Sequence, residues 1–139
     1  MICYLDTSAL VKLYISEEGS EFVQEVIGRA DIVGVSLIAY PEALSAFSRT
    51  FRERLFTRTY YDRMRLAFEK DWRRLHVIDF NRQISHAAGE LIYQHGLRAF
   101  DAVHLASALK FKSWLSAPVT FLCFDQKLSK AARSEGMLV

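Results

Sequence analysis

Five acidic residues occupy positions from which their side chains could meet. They share a place at the end of a short apolar run or near the start of a following helix: Asp6, Glu42, Asp79, Asp101 and Asp125. In an open α/β sheet, ligands bind at the carboxyl ends of the parallel strands. The pattern therefore indicates an acidic site at that edge of a sheet.

A cluster of carboxylates at such an edge needs protons or a cation. Two carboxylates about 5 Å apart, at an effective dielectric constant near 20, repel each other by roughly 3 kcal/mol. Oxygen-only ligands favour Mg²⁺ or Mn²⁺ over Zn²⁺. A hard cation of this kind can lower the pKa of an attacking water molecule and neutralise charge at phosphorus. The chemistry that suits the cluster is hydrolysis of a phosphodiester bond.

Each of these acids also has an ordinary structural explanation. Asp6 and Asp125 could cap the helices that follow them, and the helix dipole favours Asp101 in a first helical turn. Glu42 could be a solvated helix residue. Taken singly, each structural explanation is the simpler one; the strand-end placement of Asp6 and Asp125 together makes a shared site an equal alternative, and spacing alone does not exclude Asp79.

Short apolar strands alternate with helices along the chain. We predict strands over residues 2–5, 32–35, 76–78 and 119–124, with a short closing strand over residues 137–139. We predict helices over residues 9–14, 20 to about 28, 36 to about 56, 57 to about 74, 81–95, 100–112 and 126–133. This alternation predicts an α/β fold in which helices flank a mostly parallel central sheet of four or five strands.

Capping residues and glycines mark the helix ends. We expect N-caps at Thr7 or Ser8, Ser20, Thr57 and Asn81. Gly96 is a typical C-cap for the helix over residues 81–95. Pro41 cannot donate a backbone hydrogen bond, so the helix after residue 36 is expected to bend or to begin there.

The composition is that of a globular protein. The chain has 139 residues, of which 51% are hydrophobic and 24% charged, so a single domain over residues 1–139 can bury a core. The two cysteines, Cys3 and Cys123, lie in apolar runs and are expected to be buried free thiols. The N-terminus lacks the features of a signal peptide, and no apolar run is long enough to span a membrane. We therefore expect a cytoplasmic protein.

Basic residues are concentrated in one part of the chain. Residues 49–74 contain nine basic and four acidic side chains, whereas the net charge of the whole chain is only +2. A basic segment beside an otherwise acidic domain suits a polyanionic partner. A solvated helix face with intrahelical ion pairs explains the segment equally well.

Four segments of the chain resemble the sequence blocks of PIN domains, notably those of the VapC toxins of bacteria and archaea. In chain order they are residues 5–14 (LDTSALVKLY), 36–46 (SLIAYPEALSA), 97–109 (LRAFDAVHLASAL) and 120–132 (TFLCFDQKLSKAA). A single block would be weak evidence. Four blocks in the family's order span nearly the whole chain, so the resemblance is specific.

The resemblance implies a three-layer PIN fold and a Mg²⁺- or Mn²⁺-dependent endoribonuclease, the toxin of a type II toxin–antitoxin pair. It implies that the metal-binding and catalytic acids are Asp6, Glu42, Asp101 and Asp125, and Asp79 falls outside the blocks. It further implies transfer or ribosomal RNA as substrate, a homodimer, and a VapB-like antitoxin that inserts an arginine among the acids. On this interpretation the RNA backbone lies along Arg49, Arg52 and Arg58.

Several residues of the blocks have a second interpretation. Ser8 or Thr7 matches a family position where a hydroxyl lies near the metal or phosphate, although either could simply cap a helix. His104 follows Asp101 by three residues, on the same helical face; packing or support of a ligand is a simpler role for it than metal binding. Gln126 stands where some PIN nucleases have a further acid, so a second metal is expected to bind weakly or only with substrate.

Two other functions remain open. A phosphohydrolase of the haloacid dehalogenase type also begins with an aspartate after a strand, but its motif needs a second acid where this chain has Ser8. A catalytically degenerate PIN-like module would bind RNA or protein without cutting. The presence of all four acids argues against that module.

Overall fold

The computed structural model describes residues 1–139 as an alternation of strands and helices. The strands are β1 (Ile2–Leu5), β2 (Ile32–Ser36), β3 (His76–Ile78) and β4 (Thr120–Leu122). The helices are α1 (Thr7–Val11), α2 (Ser20–Gly28), α3 (Ala39–Arg52), α4 (Arg58–Trp72), α5 (Arg82–His95), α6 (Ala99–Leu115) and α7 (Gln126–Ser134). None of these helices has both the length and the apolar character needed to cross a membrane.

The four strands form one parallel sheet in the order β3-β2-β1-β4, which confirms the predicted fold class. β1 pairs with a neighbour on each side, and Leu5 lies opposite both Val35 and Leu122. The carboxyl ends of β1, β2 and β4 are therefore aligned at one edge of the sheet. The predicted closing strand is reduced to an isolated bridge between Leu138 and Thr120.

Two apolar cores cover the two faces of the sheet. Side chains of β1 alternate between them: Tyr4 belongs to the core beneath α5, α6 and α7, whereas Cys3 and Leu5 belong to the core beneath α1 to α4. Such alternation is the expected consequence of a two-residue strand period. The helices thus form the two outer layers of a three-layer fold.

A glycine lets α6 pack directly on β2. A Cβ atom on Gly34 would lie 2.6 Å from the ring of Phe111, which is 2% exposed. Since Phe111 has no room to withdraw, only glycine fits at this position without moving α6. This close contact holds α6, which carries Asp101 and His104, against the sheet.

Several helix ends differ from those predicted. The caps at Thr57 and Asn81 are confirmed, and Gly96 has the left-handed conformation of a C-cap. The predicted caps at Thr7 or Ser8 and at Ser20 are wrong, because Asp6 caps α1 and Gly19, with φ of 90°, precedes α2. Pro41 lies within the first turn of α3, where its missing N–H leaves no bond unmade.

Candidate active site

Asp6 lies at the centre of the sheet edge formed by the carboxyl ends of the strands. Its backbone N–H donates to Leu122 O of β4 (3.1 Å), and its side-chain Oδ1 accepts hydrogen bonds from Ala9 N (2.9 Å) and Ser8 Oγ (2.7 Å). The second oxygen, Oδ2, has no partner in the protein. Burial raises the pKa of Asp6, which is 4% exposed. A nearby cation would offset this cost of burying the charge.

Glu42 approaches the same edge from the first turn of α3. Its Oε1 accepts hydrogen bonds from Thr7 Oγ1 (2.6 Å) and His104 Nε2 (2.8 Å), whereas Oε2 has no protein partner. Burial acts to raise the pKa of Glu42, but the bonds from His104 and Thr7 outweigh it and the pKa is lowered. Glu42 is therefore held as a carboxylate with one free oxygen.

Asp101 lies in the first turn of α6, close to Asp6. Burial is the main reason that the pKa of Asp6 is raised, and the negative charge of Asp101 adds to it. Asp101 Oδ2 accepts a hydrogen bond from Arg98 Nε (3.2 Å). The side chain is 21% exposed, so it faces the rim of the site rather than its floor.

Asp125 does not directly follow a strand, which corrects the prediction for this residue. β4 ends at Leu122, and Asp125 instead caps α7 by accepting from Leu128 N (2.8 Å) through Oδ1. Its Oδ2 lies 3.8 Å from Arg98 Nη2. Asp125 therefore has a clear structural role, whatever it contributes to the site.

Two substitutions of Asp125 separate capping from chemistry. Asparagine caps as well as aspartate, so Asp125→Asn should leave stability nearly unchanged, whereas Asp125→Ala should lose about 1 kcal/mol. If the carboxylate serves the site, Asp125→Asn should still lose RNA cleavage at least tenfold. Denaturant unfolding and cleavage rates measured on both variants decide between the roles. Full activity in Asp125→Asn would show that Asp125 is only a cap.

Arg98 lies between two of the acids. The side chain is 82% exposed, and its guanidinium reaches both Asp101 and Asp125. No three acidic, histidine or cysteine side chains lie close enough together here to bind one ion. Carboxylates without a shared cation repel one another, and Arg98 neutralises part of that charge. The acids thus face one edge of the sheet without closing into a compact ligand set.

The two hydroxyls predicted to contact phosphate are both engaged by acids. Ser8 donates to Asp6 and Thr7 donates to Glu42. Each bond uses one carboxylate oxygen and leaves the other free. In this arrangement the hydroxyls orient the acids.

A cleft of about 790 Å³ leads to the acids between α1 and α3. Thr7, Ser8 and Glu42 line its inner end, and Arg49 supplies positive charge, whereas Lys12 in the same cleft is paired with Glu17 (3.0 Å). Of the three arginines predicted to contact RNA, only Arg49 lines this cleft. Arg52 is exposed on the last turn of α3, and Arg58 pairs with Asp62 (3.2 Å) on α4.

Three residues of the site, Lys12, Phe100 and Arg98, were missed by sequence reasoning, whereas support of a ligand was one of the two roles expected of His104. Lys12 and Phe100 line the cleft, Arg98 bridges two acids, and His104 bonds to Glu42. Phe100 is 57% exposed at the mouth of the cleft. All four lie inside the sequence blocks that carry the acids, and their positions there were the available signal.

The chain matches the model of the PIN domain over residues 3–133, and it belongs to the PIN-domain family. Its curated relatives include Ribonuclease VapC45 and Ribonuclease VapC49 from two strains of Mycobacterium tuberculosis. Each is 33% identical over 138 residues, covering 99% of this chain and 94% of the relative. Within the family, the similarity is thus to VapC ribonucleases. The family match sets aside the haloacid dehalogenase alternative.

Solved structures share the fold at low sequence identity. VapC20 of Mycobacterium tuberculosis, described as a sarcin–ricin loop cleaving toxin, has a TM-score of 0.68 at 14% identity, covering 98% of this chain and 96% of that one. FitAcB from Neisseria gonorrhoeae has a TM-score of 0.67 at 15% identity, covering 95% and 94%. A toxin–antitoxin complex from Klebsiella pneumoniae contains a chain with a TM-score of 0.64 at 18% identity, covering 90% and 88%.

Proposed function

We propose that this protein is a metal-dependent endoribonuclease and the toxin of a type II toxin–antitoxin pair. The observation that carries the proposal is the placement of Asp6, Glu42 and Asp101 around one edge of a PIN-family sheet. The 33% identity to VapC ribonucleases over nearly the whole chain supports it.

The all-oxygen chemistry of these acids fits a hard divalent cation, although no three of them lie close enough together to bind one ion as they stand. Asp6 and Glu42 each tie one carboxylate oxygen to protein donors and leave the other unbonded. Asp6, Glu42, Asp101 and Asp125 would hold Mg²⁺ or Mn²⁺, which prefer oxygen ligands and retain some of their water. When bound, the ion supplies a Lewis acid that lowers the pKa of water and neutralises charge at phosphorus.

The residues of this chain then have separate tasks. Thr7 and Ser8 fix the directions of the Glu42 and Asp6 carboxylates, respectively. The unbonded Oε2 of Glu42 can orient a water molecule and accept its hydrogen bond. The cleft between α1 and α3 would bring the RNA backbone to Glu42, with Arg49 offsetting the repulsion between the acids and phosphate.

Cleavage of RNA by the purified protein tests the proposal. We expect cuts at defined sites with Mg²⁺ or Mn²⁺ and none with EDTA. Transfer RNA and ribosomal RNA are the first substrates to try, since the family resemblance points to RNAs of translation. RNA binding without any cleavage would instead favour the degenerate binding module.

The position of Arg49 in the cleft predicts a larger role in RNA binding than that of Arg58. Removing one phosphate contact reduces the slope of log affinity against log salt concentration by about 1. Arg49→Ala should show this decrease, whereas Arg58→Ala, which loses an exposed pair with Asp62, should bind like the wild type. Fluorescence anisotropy with labelled RNA at several salt concentrations measures both. Equal losses in the two variants would contradict binding through the cleft.

We also propose a homodimer and an antitoxin that blocks the acids with an arginine. The guanidinium of Arg98 already reaches Asp101 and Asp125, so this group is chemically compatible with the site. Several structures of similar fold come from toxin–antitoxin complexes. Copurification with the product of a neighbouring small gene tests the partner, and light scattering tests the dimer.

A further inference from the structure

A buried chain of hydrogen bonds links the central strand to Glu42. His104 lies on α6, one turn after Asp101, and is 2% exposed. Its Nε2 is 2.8 Å from Glu42 Oε1, and its Nδ1 is 3.2 Å from the hydroxyl of Tyr4 in β1. Three separate elements, β1, α3 and α6, are thus joined through one imidazole ring.

We infer that His104 and Tyr4 are positioning residues that fix the carboxylate of Glu42 for its role at the metal. This inference rests on the proposed function. His104 acts through Glu42, and Tyr4 acts through His104, so neither has to touch metal or substrate.

A neutral His104 ring fits the network with its hydrogen on Nε2, which lies 2.8 Å from Glu42 Oε1 and 3.1 Å from Thr7 Oγ1. A phenol is protonated at neutral pH, so in this arrangement the Tyr4 hydroxyl donates to His104 Nδ1 (3.2 Å). His104 Nε2 then carries the ring hydrogen and donates to Glu42 Oε1. Thr7 Oγ1, at the start of α1, donates to the same oxygen of Glu42. Two donors saturate Oε1 and direct Oε2 away from the protein.

Such support matters because a glutamate side chain has three rotatable bonds. Left free, Glu42 would lose conformational entropy each time it bound a ligand. The fixed ring of His104 removes that cost in advance, as partners behind a metal ligand commonly do. Replacement of such partners typically lowers metal affinity or activity by 10–100-fold.

A pair of variants isolates the hydrogen bond from the packing. His104→Leu fills most of the space but cannot donate, whereas the amide of His104→Gln can donate near the position of Nε2. We expect His104→Leu to weaken Mn²⁺ binding, measured by calorimetry, by about 10–100-fold and to slow RNA cleavage similarly. His104→Gln should recover most of both. His86→Leu, at an exposed histidine on α5, is the matched control and should match the wild type.

Glu42→Gln provides the decisive background. If His104 acts through Glu42, adding His104→Leu to Glu42→Gln should lower Mn²⁺ affinity by less than about threefold. The effect is small in that background because effects within one network are not additive. An equal loss in both backgrounds, or wild-type Mn²⁺ affinity in His104→Leu, would overturn the inference.

A third variant keeps the inference testable if His104→Leu does not fold. Tyr4→Phe removes only the hydroxyl that orients the ring and should weaken Mn²⁺ binding in the same direction by a smaller factor; unchanged binding would count against the network. The Mn²⁺ measurement needs no substrate. A protein that binds Mn²⁺ in a His104-dependent way but cuts no RNA would refute the proposed activity and leave the positioning role intact.

Discussion

Asp6→Asn is expected to abolish RNA cleavage while leaving the fold intact. The amide oxygen of asparagine can accept the bonds from Ala9 N and Ser8 Oγ and still cap α1. The change replaces only the unbonded Oδ2, and with it the negative charge nearest the centre of the site. Losing several kcal/mol of charge stabilisation corresponds to a decrease of about a thousandfold in kcat/KM.

The chain offers a matched control for this experiment in Asp79. It follows β3 at the edge of the same sheet, and it is exposed rather than buried. Asp79→Asn should therefore cleave like the wild type. Circular dichroism and thermal unfolding would confirm that both variants are folded. Cleavage that survives Asp6→Asn would place the active site elsewhere or reveal a contaminating nuclease.

Phe68→Ala is expected to cause the largest loss of stability of any single truncation in the core beneath α1 to α4. Phe68 is fully buried on α4 and packs against four aromatic rings, those of Tyr14, Tyr40, Phe47 and Trp72, with centroids 5.3–5.7 Å away. Truncating a buried phenylalanine costs about 3–5 kcal/mol. A domain of this size is stable by only about 5–15 kcal/mol.

Urea unfolding measures this loss directly. Leu66→Ala on the same helix is the control, because Leu66 is 72% exposed and its truncation should change the free energy of unfolding by less than about 0.5 kcal/mol. Similar values for the two variants would mean that α4 is not anchored through Phe68. Because α4 packs on α3, which carries Glu42 and Arg49, loosening α4 in Phe68→Ala should also impair the site.

Local sequence signals were sufficient for much of the fold. The helix between Asn81 and Gly96 begins and ends where its caps predict, because capping depends on a few adjacent residues. The strand before Asp6 is also as predicted, since a short apolar run bounded by a helix start has few alternatives. The resemblance to PIN domains then selected four acids among the five that spacing allowed.

Features that depend on distant contacts were not predictable in this way. The last apolar run continues to Phe124, but pairing with β1 ends at Leu122, so the sequence placed Asp125 too close to the strand. The role of His104 requires Tyr4, a hundred residues away, and Glu42 on a third element. No local pattern in an apolar helix distinguishes such a histidine from one that only packs.

The central position of β1 also governs how the site responds to thermal fluctuations. Its amide hydrogens are bonded on both edges, and the amide of Asp6 itself is bonded to Leu122. Amides in such a strand exchange with solvent only in rare, large openings, whereas exposed rim residues such as Arg98 and Phe100 can move by local fluctuation. The floor of the site therefore persists until the whole molecule unfolds, and substrate can rearrange the rim without disturbing it.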